Sequence, residues 1–233
     1  MPPKRRTPSP PDDLGIRHRA ALYGLAAAGL VGLVVAVAVV ALGSGGLTPD
    51  AVAADFTAAG CSFKTVAAYV PPGEGTHVPS LTKTLPWNTS PPSNGQHYPE
   101  WAVWGFYTEP VNPRRVVHNE EHGGVIEWWG PQVPAATVAA LRRFYDEQPV
   151  AGFGTPYASL GGKIAITAWT GNHADYRQDG YYGQGHIAVC PSFTATTKTA
   201  FEAFRKLYRG HGPEGIPLCA DHPGDGPTRS SCG

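Results

Sequence analysis

The chain has 233 residues, and its 18 lysines and arginines balance 18 aspartates and glutamates, so the formal net charge is zero. Beyond the N-terminal segment, basic residues form only isolated pairs such as Arg114-Arg115 and Arg142-Arg143. This pattern argues against the basic face by which proteins bind nucleic acids.

The N-terminal segment predicts a membrane anchor. Residues 20–42 contain no charged side chain, and a helix of that length crosses a hydrocarbon core of about 30 Å. The preceding residues 1–19 are basic and rich in proline, which predicts a disordered cytoplasmic tail and places the rest of the chain outside the plasma membrane. A cleavable signal peptide is the alternative, with small residues at 51–53. The apolar run, however, exceeds a usual signal core and ends far from that site.

The next segment predicts a linker, a short helix and one strand. Residues 43–54 form the linker and the helix start, where Thr48 caps the helix and Pro49 lies in its first turn. Gly60 ends the helix, and a strand follows at 62–69. Residues 71–100 then hold many prolines, which predict a long irregular segment.

The second half of the chain predicts a mixture of strands and helices. Strands are expected at 114–118, 124–129, 163–169 and 186–190, and helices within 131–148 and 194–209. Because these elements do not alternate as strict βαβ units, we predict an α+β fold. It would be a single extracytoplasmic domain over 55–210, with a small mixed or antiparallel sheet and two to three helices. Residues 211–233 would form a tail rich in proline and glycine.

All four cysteines follow the predicted membrane span, where an oxidising compartment favours disulfides. Three pairings are possible, and we predict Cys61–Cys190 and Cys219–Cys232, because the second bridge would staple a tail with little apolar content. A four-cysteine metal site is the alternative, although the sequence has no C-x-x-C pair.

The segment 118–122, H-N-E-E-H, matches the H-x-x-E-H pattern of inverted zinc proteases. That mechanism needs a helix, on which His118 and His122 share one face and Glu121 serves as the base. Valines precede the motif and glycines follow it, so we instead predict a tight turn between two strands. Such a turn still brings the two imidazoles together.

Other histidines extend this motif into a possible metal site. His77 and His97 lie in the proline-rich segment, and with His118 and His122 they supply four imidazoles, while Glu121 is a further ligand or a hydrogen-bond acceptor. A metal held in this way would tie the irregular segment to the sheet. The remaining histidines are outlying candidates (His173, His186) or surface residues (His18, His211, His222).

Four short motifs resemble a known family. They are A-G-C-S-F at 59–63, T-H-V-P at 76–79, S-P-P-S-N-G-Q-H-Y at 90–98 and V-H-N-E-E-H-G-G-V at 117–125. Together, over about residues 55–210, they resemble the domain of unknown function 3105 family, whose pattern is P-P-T-S-G-x-H-Y followed by V-H-x-L-E-H-G. Glu120 and the pair Ser93-Asn94 depart from that pattern, but every histidine is kept. The resemblance implies a single-pass, extracytoplasmic domain of actinobacteria and similar bacteria, without a known activity.

Imidazole and carboxylate ligands suit Cu(II) or zinc, whereas Cu(I) prefers thiolate and thioether ligands. The only methionine is Met1, so a methionine-based Cu(I) carrier is disfavoured. Three functions stay open: a membrane-tethered metal-binding domain, a metal-dependent hydrolase, and a metal-free interaction domain of the cell envelope. The third would use aromatic side chains, namely Trp87, Trp101, Trp104, Tyr181 and Tyr182.

Overall fold

The computed structural model describes residues 46–217. The predicted membrane span at 20–42, the tail at 1–19 and the Cys219–Cys232 pair lie outside these residues. Within residues 46–217, none of the helices has both the length and the apolar character needed to cross a bilayer.

The described residues form an α+β fold around one mixed sheet of six strands. The elements in chain order are α1 (Pro49–Ala58), β1 (Ser62–Ala67), β2 (Gly105–Phe106), α2 (Pro113–Glu121), β3 (Val125–Trp129), α3 (Ala135–Glu147), β4 (Gly152–Pro156), a 3-10 turn (Ala158–Leu160), β5 (Ile164–Thr170), β6 (Gln184–Cys190) and α4 (Ala195–Tyr208). The strand order is β1-β6-β5-β3-β4-β2, with β2 and β3 parallel to β4 and the other pairs antiparallel. The predicted class is confirmed, but the described residues hold four α-helices rather than two to three.

The helices α1, α3 and α4 cover one face of the sheet, and α2 and irregular segments cover the other. On the first face, apolar side chains of α1, α3 and α4, such as Phe56, Phe144 and Phe204, pack against alternate residues of β3 and β5. On the second, Val116 of α2 and Trp104 of the preceding loop pack against the intervening strand residues. The candidate ligand His97 also lies on this second face, where its ring contacts Trp169.

The predicted Cys61–Cys190 disulfide is confirmed. It joins the residue before β1 to the last residue of β6, which are neighbouring strands. The helix that precedes it also begins as predicted, because the Thr48 side chain accepts a hydrogen bond from the Ala51 amide and Pro49 is the first helical residue.

The predicted strand at 114–118 is wrong, and so is the tight turn that was to follow it. Residues 113–121 form the helix α2, which Asn112 caps by accepting a hydrogen bond from the Arg114 amide, with Pro113 as the first helical residue. Val116 and Val117 are fully buried, so tertiary packing outweighs the modest strand preference of valine. The H-N-E-E-H motif therefore occupies the last turn of a helix.

Candidate metal centre

Two of the histidines are brought together by the irregular segment before β2. His77 and His97 form an isolated parallel β-bridge, in which the His97 amide donates to the Thr76 carbonyl and the Val78 amide donates to the His97 carbonyl. The rings of His77 and His97 lie 4.9 Å apart between centroids. The predicted absence of regular structure is confirmed, yet residues 91–97 are buried, so this loop is a packed part of the fold.

The last turn of α2 supplies the other three predicted residues. His118 and Glu121 are three residues apart on the helix, and His122 is its C-terminal cap. Gly123 follows with a positive φ of 86°, and a side chain there would approach the Gly210 backbone to 2.9 Å. Glycine therefore ends the helix and lets the segment after α4 pass close beside the site.

Four ligand-type atoms converge where the loop meets the helix. One ring nitrogen each from His77, His97 and His118 and a carboxylate oxygen of Glu121 all lie within 4.8 Å of one another. Glu121 Oε2 is 3.4 Å from His77 Nε2, 3.0 Å from His97 Nε2 and 3.9 Å from His118 Nε2. The His97 and Glu121 side chains are fully buried, whereas 38% of the His77 side chain is exposed.

The second ring nitrogens of two histidines fix where their lone pairs point. His97 Nδ1 lies 2.8 Å from the Gly95 carbonyl, and His118 Nδ1 lies 2.9 Å from the Tyr98 carbonyl. A carbonyl only accepts, so each Nδ1 carries the hydrogen and each neutral ring has its lone pair on Nε2. Metal-binding histidines in proteins are oriented by the same kind of hydrogen bond.

The Nε2 atom of His97 is buried and makes no hydrogen bond within residues 46–217. It lies only 3.0 Å from Glu121 Oε2, but with the ring hydrogen on Nδ1 it has none to donate to the carboxylate. A cation between the two atoms would satisfy both.

Two further residues, which the sequence analysis missed, hold the other carboxylate oxygen. Glu121 Oε1 accepts a short hydrogen bond from the Tyr176 hydroxyl and lies 3.1 Å from Arg177 Nη2. Burial tends to raise the pKa of Glu121, but the hydrogen bonds from His77 and Tyr176, together with the close approach of His97, hold it well below its usual range. Burial and the nearby Glu121 carboxylate raise the pKa of Tyr176, so the phenol keeps its proton. These contacts favour the anionic form of Glu121, whose Oε2 lies within 3.9 Å of the Nε2 atoms of three histidines.

The electrostatic environment also favours the metal-binding form of His118. Burial, with a smaller contribution from His97, lowers the pKa of His118 to about 4. At neutral pH the imidazole is uncharged, which is the state that binds a metal.

His122 belongs to a second group of ligand-type atoms, which overlaps the first. This group consists of His118, Glu121, His122 and Glu214, again within 4.8 Å of one another. His122 Nε2 lies 3.0 Å from His118 Nε2 and 3.2 Å from Glu214 Oε2. Glu214 lies outside all the motifs of the sequence analysis and is brought in by the segment that passes Gly123.

The first group fits a tetrahedral metal ion. Metal–nitrogen and metal–oxygen bonds of about 2.0–2.1 Å place tetrahedral ligand atoms about 3.3–3.4 Å apart. The three distances from Glu121 Oε2 to the histidines bracket that value. Three imidazoles and one carboxylate, with two imidazoles held by backbone carbonyls, form a group that could hold a metal ion.

The outlying histidines lie outside both groups. His186 is buried, with its ring nitrogens 2.9 Å from Thr65 Oγ1 and 2.8 Å from Thr170 Oγ1 and its ring stacked on Tyr208. It is therefore a satisfied core histidine. His173 and His211 are exposed.

The aromatic residues proposed for partner recognition are mostly used within the fold. Trp101 packs against the rings of His118 and His122, with centroid distances of 5.5 and 5.0 Å. Trp104 is buried, and Trp87 Nε1 donates to the Gln96 carbonyl. Of the five aromatic residues proposed for partner recognition, only Tyr181 is exposed.

Comparisons with known proteins found a family model that resembles part of the chain. The chain matched no curated protein and no solved structure. Residues 71–179 match the family model described as "Protein of unknown function (DUF3105)". That segment contains His77, His97, His118, Glu121 and His122, while Glu214 lies beyond it. The match supports the assignment of the segment that supplies most of the candidate ligands to this domain family.

Proposed function

We propose that this protein is a membrane-anchored extracytoplasmic domain that binds one divalent transition-metal ion, Cu(II) or zinc. The ligands would be His77, His97, His118 and Glu121. His122, which the sequence analysis placed in the same site, borders this set through its contact with His118.

The orientation of the histidines is the observation on which the proposal rests. His97 and His118 donate from Nδ1 to backbone carbonyls, so each has its lone pair on Nε2. His97 Nε2 is buried, lacks a hydrogen-bond donor among the described residues and faces an anionic oxygen at 3.0 Å. Two buried acceptors this close are unfavourable without a cation, because each loses its hydrogen bonds to water.

The ligand chemistry supports Cu(II) or zinc over the other common metals. Calcium and magnesium prefer oxygen ligands, and this set is dominated by imidazole nitrogen. Within residues 46–217, both cysteines are in the disulfide and no methionine occurs, so soft sulfur ligands for Cu(I) are absent from this part of the chain.

A metal-dependent hydrolase is less well supported, although the motif does lie on a helix. The protease pattern requires the glutamate to act as a general base, which works best with a pKa near the operating pH. The pKa of Glu121 is held well below its usual range, and its two oxygens face His77, His97, Tyr176 and Arg177. Glu121 is better suited to binding a cation than to accepting a proton.

The proposed location rests on the sequence and on the disulfide. An uncharged run at 20–42 behind a basic tail favours a single span with the domain outside the membrane. The Cys61–Cys190 disulfide agrees with an oxidising compartment.

Metal analysis of the full chain, purified in mild detergent and loaded with zinc or Cu(II), tests the proposal. We expect one ion per chain and an increase in thermal stability on loading. Replacing the buried ligand His118 with alanine should abolish stoichiometric loading, whereas replacing the exposed His211 should change neither quantity. A wild-type chain that takes up neither metal would refute the proposal.

A further inference from the structure

We propose that the metal ion has two overlapping positions and passes between them without leaving the protein. The inner set is His77, His97, His118 and Glu121, and the outer set is His118, Glu121, His122 and Glu214. The ion is a divalent transition-metal cation, and this inference rests on the proposed function.

The outer set has the geometry of a second coordination position. Its four ligand-type atoms lie within 4.8 Å of one another, as do those of the inner set. His122 Nε2 is 3.0 Å from His118 Nε2 and 3.2 Å from Glu214 Oε2, which is close to the edge of a tetrahedral site. Both sets share two ligands, His118 and Glu121.

The shared ligands prevent both positions from being filled at once. His118 has only Nε2 available, because its Nδ1 donates to the Tyr98 carbonyl. Glu121 likewise has only Oε2 available, because Oε1 binds Tyr176 and Arg177. The single lone pair of His118 Nε2 can bind one ion at a time, so the two sets are alternatives.

Arg177 also argues for a single ion. Its Nη2 lies 3.1 Å from Glu121 Oε1 and 2.9 Å from Glu214 Oε1. A second dication in this largely buried site would lie beside both the first ion and this guanidinium, where like charges repel strongly.

The most exposed member of each set reaches solvent. In the inner set it is His77, with 38% of its side chain exposed, and in the outer set it is Glu214, with 23% exposed. An ion held by His118 and Glu121 can therefore exchange His77 and His97 for His122 and Glu214 while two ligands stay bound. The cluster would thereby receive and release its ion through different ligands.

Co(II) titration of the full chain tests this arrangement, because its visible spectrum reports the ligand set. The variants are His77→Ala, His122→Ala and the double variant, with the exposed His211→Ala as the matched control. We expect one equivalent of Co(II) for the wild type, the control and each single variant, with different spectra for the two single variants. The double variant should lose stoichiometric binding, and near-ultraviolet circular dichroism checks that it is folded.

A second outer-set variant covers the case in which the double variant does not fold. His77→Ala combined with Glu214→Gln should lose binding for the same reason, since Glu214 is partly exposed and its replacement keeps the side-chain shape. Loss of all binding in His77→Ala alone would overturn the inference and leave a single inner position. Two equivalents in the wild type would overturn it in favour of a two-ion site. A wild type that binds no Co(II) would refute the proposed function as well.

Discussion

Asn119 joins the metal-bearing helix to the loop in front of it, and its replacement by alanine should destabilise the domain strongly. Its Oδ1 accepts a hydrogen bond from the Ala102 amide at 3.0 Å, and its Nδ2 donates to the Ala102 carbonyl at 2.9 Å. Asn119 is fully buried and Ala102 is 6% exposed, so water cannot replace either bond. Each buried backbone group left without a hydrogen bond costs about 1–3 kcal/mol, so the free energy of unfolding should fall by about 2–6 kcal/mol.

Urea unfolding of the chelator-treated full chain measures this loss. All six tryptophans lie between residues 87 and 169, so their fluorescence reports on this domain. Asn172→Ala is a matched control: Asn172 also makes two side-chain hydrogen bonds, to the Ala174 amide at 3.1 Å and to Asp175 Oδ2 at 2.7 Å, but it is exposed. Water can replace those bonds, so the control should change the free energy of unfolding by no more than about 0.5 kcal/mol. A loss below about 1 kcal/mol for Asn119→Ala, or equal losses for the two variants, would refute the argument.

Three further outcomes are expected. Burial lowers the pKa of His186 to about 4, so as the pH falls the unfolded state takes up a proton before the folded state does. Up to about 3 kcal/mol of the free energy of unfolding is therefore lost between pH 6.5 and 4. In urea unfolding, the stability of His186→Gln should depend less steeply on pH than that of the wild type. Replacing Cys61 and Cys190 by serine removes a disulfide between residues 129 positions apart in the sequence. Because the unfolded chain is then less restricted, the free energy of unfolding should fall by about 5 kcal/mol, and an unchanged urea midpoint would contradict this. Tyr176→Phe removes a hydrogen bond to Glu121 Oε1 and should weaken metal affinity by about 10- to 100-fold in a chelator competition, whereas equal affinities would show that the hydroxyl does not orient the ligand.

Local sequence signals predicted the elements whose patterns agree with their environment. Thr48 and Pro49 marked the start of α1, and the helix predicted within 194–209 corresponds to α4. At α2 two local signals disagreed. The valines favoured a strand, but the capping pair Asn112-Pro113 determined the outcome together with burial of Val116 and Val117. The cap was visible in the sequence and would have corrected the prediction.

The candidate site was only partly accessible to sequence reasoning. The histidine motifs predicted that His77, His97, His118 and His122 would converge, and in the structure they are divided between two overlapping groups that share His118 and Glu121. Tyr176, Arg177 and Glu214 could not be found in this way, because each lies in a segment without periodicity or motif. Glu214 reaches the site because its segment contacts the backbone beside α2, as in the hydrogen bond from the Gly210 amide to the Gly123 carbonyl. The short strands β2 and β4 were missed because glycine-containing segments resemble loops.

The Cys61–Cys190 disulfide also determines how the domain responds to a mechanical pull on the chain before residue 47. Such a pull acts on α1 and then on the start of β1, an edge strand whose hydrogen bonds to β6 would otherwise break one after another from Ser62 onward. The disulfide lies ahead of the first of those bonds and passes the force covalently to the end of β6. Peeling of the edge strand is thereby blocked, and the histidines on the sheet face behind it are isolated from tension at the N-terminal side. Single-molecule pulling should show this as a high unfolding force that falls when the disulfide is reduced.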